Sequence, residues 1–174
     1  MLADRQEWAD AYAQQSASDF EVYEILAGEP SIPTCHRMHY LQMTCEKIAK
    51  AYMFRDTKAS GTRLVTSHAV FSKFMGNYIA SPAVKAQYQG REAQLRSVGT
   101  ALRALAREVE KLAPAVDSEN SPSNAEYPWE SDGKVIIPCL YAYPNLSLLR
   151  TPSGFYFLKL IKEAIVDFEK QVIR

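Results

Sequence analysis

Two residue types able to act on a phosphodiester stand close together in this chain. Arg63 and His68 bracket the run Arg63-Leu-Val-Thr-Ser-His68. Histidine titrates near neutral pH and can move a proton, and arginine can hold the charge that develops on phosphate. An RNA 2′-hydroxyl attacking its own phosphate needs both services. The run equally suits a structural role, with His68 in the first turn of a helix and Arg63 in solvent. On a regular helix, side chains five positions apart diverge by about 140°. Convergence on one phosphate therefore requires a distorted turn or a second subunit.

His36 and His39 lie one helical turn apart and can share a face. A metal site needs at least a third ligand, and the sequence recommends none, so neither a metal nor a cofactor is expected. These imidazoles are assigned to the lining of a groove or to contact with the segment before the last helix. Lys47 and Lys50, with Arg37, can form a basic rim, or a solvated face with local ion pairs. Trp129 and Tyr143, with Tyr127 and Tyr141, can stack a base or pack on helices. The candidate catalytic residues are thus Arg63 and His68. The candidate ligand-binding residues are His36, His39, Lys47, Lys50, Trp129 and Tyr143.

Acids and bases balance at 20 each in 174 residues, giving a formal net charge of zero. Nonspecific nucleic-acid binding rests on a basic surplus that displaces phosphate counterions, and the chain has no such surplus overall. A local basic patch can still serve. The three cysteines, Cys35, Cys45 and Cys139, are widely spaced and include no CxxC pair, which points to buried thiols in a reducing compartment. The polar N-terminus does not read as a signal peptide, and no apolar run reaches the ~18–20 residues that span a bilayer. A cytoplasmic protein with no membrane partner is expected.

The elements that must position these residues are helices. A first helix is predicted over Asp4–Ala27, stopped by Gly28-Glu29-Pro30. The second covers His36–Arg55, where Met38, Leu41, Cys45, Ile48 and Tyr52 recur every three or four residues. Asp56–Thr62 reads as a loop. A third helix is predicted over Ser67–Ala80. A fourth runs from Ser81-Pro82 to Ala113, with Leu102 and Leu105 in its apolar repeat and a weak point at Gly90. Residues 114–151 mix prolines with aromatics and read as an ordered, irregular strap. Lys134–Ile137 is its one short strand. The last helix begins at Thr151-Pro152 and presents Phe155, Leu158, Ile161, Ile165, Phe168 and Val172 to the core. The expectation is a single all-α domain over 1–174: a four-helix core (1–113), the strap (114–151) and a C-terminal helix (152–174).

The wording of the second helix adds to this. Tyr-Leu-Gln-Met at 40–43, Glu46-Lys47 and Lys50-Ala51 resemble the "YLQ…EKALKA" helix of HEPN-like domains. These are up-and-down helical bundles of prokaryotic toxin–antitoxin, defence and nucleotidyltransferase-associated proteins. The resemblance covers roughly residues 1–113. It implies a bundle that pairs through helix faces, hence a homodimer or a protein partner, and an association with nucleotides or RNA. Catalytic members carry an R-x(4–6)-H ribonuclease motif, which Arg63 and His68 resemble. This chain departs from it at Leu64, where the family has a polar residue, and in placing the motif before the third helix. The expected function is therefore a non-catalytic interaction or ligand-binding module, with a metal-independent ribonuclease using Arg63 and His68 as the alternative.

Overall fold

A computed structural model describes residues 4–56 and 66–172 and is an all-α bundle. The first helix, α1 (Arg5–Ala27), starts from a reciprocal cap. The Asp4 carboxylate accepts from Gln6 N, and the Glu7 carboxylate accepts from Asp4 N at 3.0 Å. The second, α2 (Thr34–Arg55), packs along the length of α1 and runs through the centre of the core. Small residues on α1 make this close pairing possible: Ala9, Ala13 and Ser16 are all buried, and Ser16 Oγ donates to Thr44 O at 2.9 Å. Arg5 reaches across to the last carbonyls of α2, donating to Phe54 O at 3.1 Å and Asp56 O at 2.7 Å. A cation there satisfies acceptors that the helix leaves open.

Of the predicted loop Asp56–Thr62, residues 57–62 lie outside the described residues. The next described helix, α3 (Phe71–Ile79), begins four residues later than Ser67. The reason is a cap from elsewhere. No side chain among residues 67–70 caps it; the Glu110 carboxylate accepts from Ser72 N at 3.0 Å and Ser72 Oγ at 2.7 Å. The predicted fourth helix is two helices, α4 (Pro82–Gln87) and α5 (Glu92–Glu110). Gly90 between them has φ +75°, a left-handed conformation that ends the helix rather than kinking it. Leu102, Leu105 and Val109 of α5 are fully buried, as their repeat requires.

The strap contains a hairpin rather than a lone strand. β1 (Trp129–Ser131) pairs antiparallel with β2 (Lys134–Ile136), with Ser131 opposite Lys134. Asp132 and Gly133 turn the chain with φ values of 52° and 70°. Two consecutive positive φ angles are what a tight two-residue hairpin demands, and Asp-Gly meets that demand at little cost. Two 3₁₀ turns follow, Pro138–Leu140 and Pro144–Arg150. Trp129, Tyr141 and Tyr143 meet edge to face, with centroids 5.1 and 5.0 Å apart, and Tyr143 Oη donates to Asn124 O at 2.9 Å.

The last helix, α6 (Pro152–Val172), shows a rotated core face. Phe157, Leu160, Ile161, Ala164, Ile165 and Phe168 are buried, whereas Leu158 is half-buried and Phe155 is 64% exposed. The Val172 side chain is outside those described. Gly154 sets this rotation. It is buried against Leu148 and Leu149, and it shares a helical stripe with Phe157, Ile161, Ile165 and Phe168. Among the described residues no helix is long and apolar enough to cross a membrane.

Tyrosines tie α6 to the rest. Tyr52 Oη donates to Ala164 O at 2.9 Å, and Tyr78 Oη to Asp167 Oδ2 at 3.0 Å. Burial, with Asp167 adding to it, pushes the Tyr52 phenol up to about 12, and burial with the Asp167 hydrogen bond raises Tyr78 as well. The folded state therefore holds these protons more tightly than the unfolded chain, whose tyrosines titrate near 10. Their contribution is complete below pH 10 and is lost as pH rises toward the folded values. Urea midpoints are expected to fall between about pH 10 and about pH 12. A Tyr52→Phe/Tyr78→Phe variant is expected to show a shallower fall. Equal slopes in the two proteins would contradict this assignment.

Candidate functional site

Among the described residues, two places bear on the candidate chemistry. The first surrounds Glu46 on α2, which is 9% exposed. Its carboxylate accepts from Gln42 Nε2 at 2.9 Å and Lys50 Nζ at 2.8 Å, and His68 Nδ1 stands 3.1 Å from Oε2. A buried carboxylate is costly unless its lone pairs are satisfied, and three partners do so here. Lys50 Nζ also faces the Tyr12 ring at 5.5 Å, and burial, then Glu46, raises the Tyr12 phenol. The His68 side chain is 44% exposed. Glu46 thus orients an imidazole whose ring reaches solvent, an arrangement suited to proton transfer. Arg63, the proposed partner of His68, lies outside the described residues, as does Leu64.

The two lysine candidates are occupied. Lys47 is ion-paired with Asp19 of α1, itself buried and also bonded to Gln15 Nε2 at 3.0 Å. Lys50 is 3% exposed and held on Glu46. Of the lysine rim inferred for α2, Lys47 thus ties α2 to α1 and Lys50 is buried in a pair within α2. The two histidines diverge in role. His36 is exposed, while His39 Nδ1 lies 3.5 Å from the Glu126 carboxylate of the strap. Among the described residues no group of three or more His, Cys, Asp or Glu could hold a metal ion.

The second place is an open cleft of about 710 Å³ beneath the strap's C-terminal end. The C-terminal half of α1 supplies Phe20, Tyr23 and Glu24. The first turns of α2 supply Thr34, Arg37 and Met38. The second 3₁₀ segment adds Leu146, Leu149 and Arg150 beside Tyr143, and α6 closes the wall with Phe155 and Leu158. Trp129 is not part of this wall; it packs on Tyr141. The size is that of a small-molecule site, and its lining is divided about equally between polar and apolar surface.

The charges in the cleft are unevenly satisfied. Glu24 is neutralised by Lys162 at 2.9 Å. Arg37 has one weak bond, from Nη2 to Thr34 Oγ1 at 3.5 Å, and its Nε is buried without a partner. Among the described residues Arg150 makes no ion pair or hydrogen bond through its side chain. Leaving a buried donor unmade costs about 1–3 kcal/mol. Burial raises the Tyr23 phenol, and the neighbouring Arg37 charge opposes that rise. Arg37 was part of the basic rim inferred from the sequence. Phe20, Tyr23 and Arg150 carried no local signal of a site, and Phe155 read as a core residue.

No model of a known protein family matches the chain, and no curated protein or solved structure matches it either.

Proposed function

We propose that this chain is a HEPN-like module that binds a ligand or partner rather than cleaving one. It is associated with nucleotides or nucleic acids in a prokaryotic defence or toxin–antitoxin type system, and it acts in the cytoplasm as a homodimer or with a protein partner. The observation that supports ligand binding is the open, aromatic-walled cleft holding two arginines without carboxylate partners. Phe155 is a suitable probe, because it is well exposed in the cleft wall and its loss spares the core. Mononucleotides and short amphipathic acids, titrated against wild type and a Phe155→Asp variant, report on this seat. Saturable binding by at least one probe class, weakened about tenfold or more in the variant, is expected. No saturation with any probe would end the reading. Light scattering is expected to give a dimer mass.

The second reading is the metal-independent ribonuclease using Arg63 and His68. What favours it is the 3.1 Å contact between Glu46 and a half-exposed His68. Incubation with a mixed RNA pool in the absence of metal separates the two. No cleavage is expected. Robust cleavage that disappears in an Arg63→Ala/His68→Ala variant would replace the binding module with the ribonuclease.

A further inference from the structure

We propose that the cleft beneath the strap takes a small organic acid, with one carboxylate head held by Arg37 and an apolar or aromatic body lying on Phe20, Tyr23, Leu158 and Phe155. This rests on the reading of the cleft as a ligand seat and names what sits there.

The charge balance selects an anion. Three charged side chains line the cleft, and only Glu24 has a counter-charge, from Lys162. A guanidinium offers five N–H donors and no acceptor. Arg37 spends one of them, at 3.5 Å, and Arg150 spends none on the described residues. A cationic ligand would meet two like charges. A neutral one would accept hydrogen bonds but leave the Arg37 charge without a counter-charge. A carboxylate matches the planar fork of arginine with two parallel bonds and adds its own charge to them, which a neutral oxygen does not. Arg37 is the anchor because it is half-buried, so its bond to an anion is less screened than one made by exposed Arg150.

The walls select the rest of the molecule. Phe20, Tyr23, Met38, Leu146 and Leu149 are buried around the cleft and give it an apolar floor. Phe155 is 64% exposed although its size favours burial, and a bound apolar body would cover it. With only two cations in the lining and Glu24 beside them, the cleft lacks the charge to neutralise a polyphosphate or an RNA strand. One anionic head on an apolar body satisfies floor and arginines together.

Isothermal titration of the full chain with decanoate, 1-naphthoate, their alcohols decanol and 1-naphthol, and adenosine monophosphate tests this. The acids are expected to bind saturably and about tenfold or more tighter than the alcohols. Arg37→Gln should weaken the acids about tenfold and Arg150→Gln by a smaller factor, with the alcohols unchanged and a control at Arg96 of α5, outside the cleft lining, Arg96→Gln, at wild-type affinity. Acids and alcohols binding equally, or acids indifferent to both substitutions, would overturn the proposal and leave an apolar ligand seat. Adenosine monophosphate binding while the acids do not would also overturn it, yet would uphold the ligand-binding reading. Binding by none of the five would remove both. If Arg37→Gln does not fold, the acid-to-alcohol ratio on the wild type and the Arg150→Gln result decide alone.

Discussion

Gly154→Ala is expected to destabilise the protein by about 2–4 kcal/mol, lowering the melting temperature by roughly 5–15 °C. A Cβ built on Gly154 would stand 2.3 Å from Leu148 O, 2.4 Å from Leu149 Cα and 2.5 Å from Leu149 C. All three are backbone atoms, so no side chain can swing aside. The 3₁₀ segment and the first turn of α6 must separate, and each carries a cleft residue: Arg150 on one, Phe155 on the other. The same substitution at Gly76, inside α3, makes the useful contrast, because nothing lies within 4 Å of a Cβ there. Gly76→Ala is expected to be neutral or to stabilise by up to ~1 kcal/mol, the usual gain from replacing glycine in a helix. Thermal melts of the two variants check this. Equal destabilisation would mean that the close approach at Gly154 is wrong.

The second large effect separates two aromatics two residues apart. Phe157→Ala is expected to cost about 3–5 kcal/mol, whereas Phe155→Ala should change stability by no more than about 0.5 kcal/mol. Phe157 is fully buried, edge-on to Phe71 with centroids 6.0 Å apart, so truncation opens a cavity where α6 meets α3. Phe155 is mostly in solvent at the cleft wall. Both phenylalanines belong to the same amphipathic helix, and the apolar period alone admits either as the inward residue. Urea unfolding of the two variants reads the rotation of α6 directly. A costly Phe155→Ala with a tolerated Phe157→Ala would invert the face that α6 presents to the core.

The contacts behind these two expected effects are not local in the sequence. Helices α1 and α2 were legible almost to the residue, because what ends them is local. Asp4 and Glu7 form a capping box within one turn, and Gly28 follows the last residue of α1. The bundle class was legible for the same reason, since an apolar residue every three or four positions requires a partner face. The hairpin was legible in principle from Asp132-Gly133. Its strands, however, are only three residues each and carry too few side chains to show an alternation.

What the chain's own sequence determined, then, is everything enforced by neighbours within about one helical turn: helix type, most caps, the break at Ser81-Pro82, a weak point at Gly90, and the apolar character of each face. Tertiary structure decided the rest. Glu110 starts α3 from 38 residues away, and Gly154 chooses among apolar faces on α6 by the room it leaves for Leu148 and Leu149. Lys47 became an interhelical ion pair only because α1 brings Asp19 to it, whereas Lys50 pairs with Glu46 one turn away on α2 and owes only its burial to packing. Arg37 and Arg150 share one cleft although most of the chain lies between them. Caps and periodicity act through bonds and contacts a few residues long, whereas a binding site is an intersection of surfaces. Its members are set by packing and by which charges are left without a partner once the core has closed.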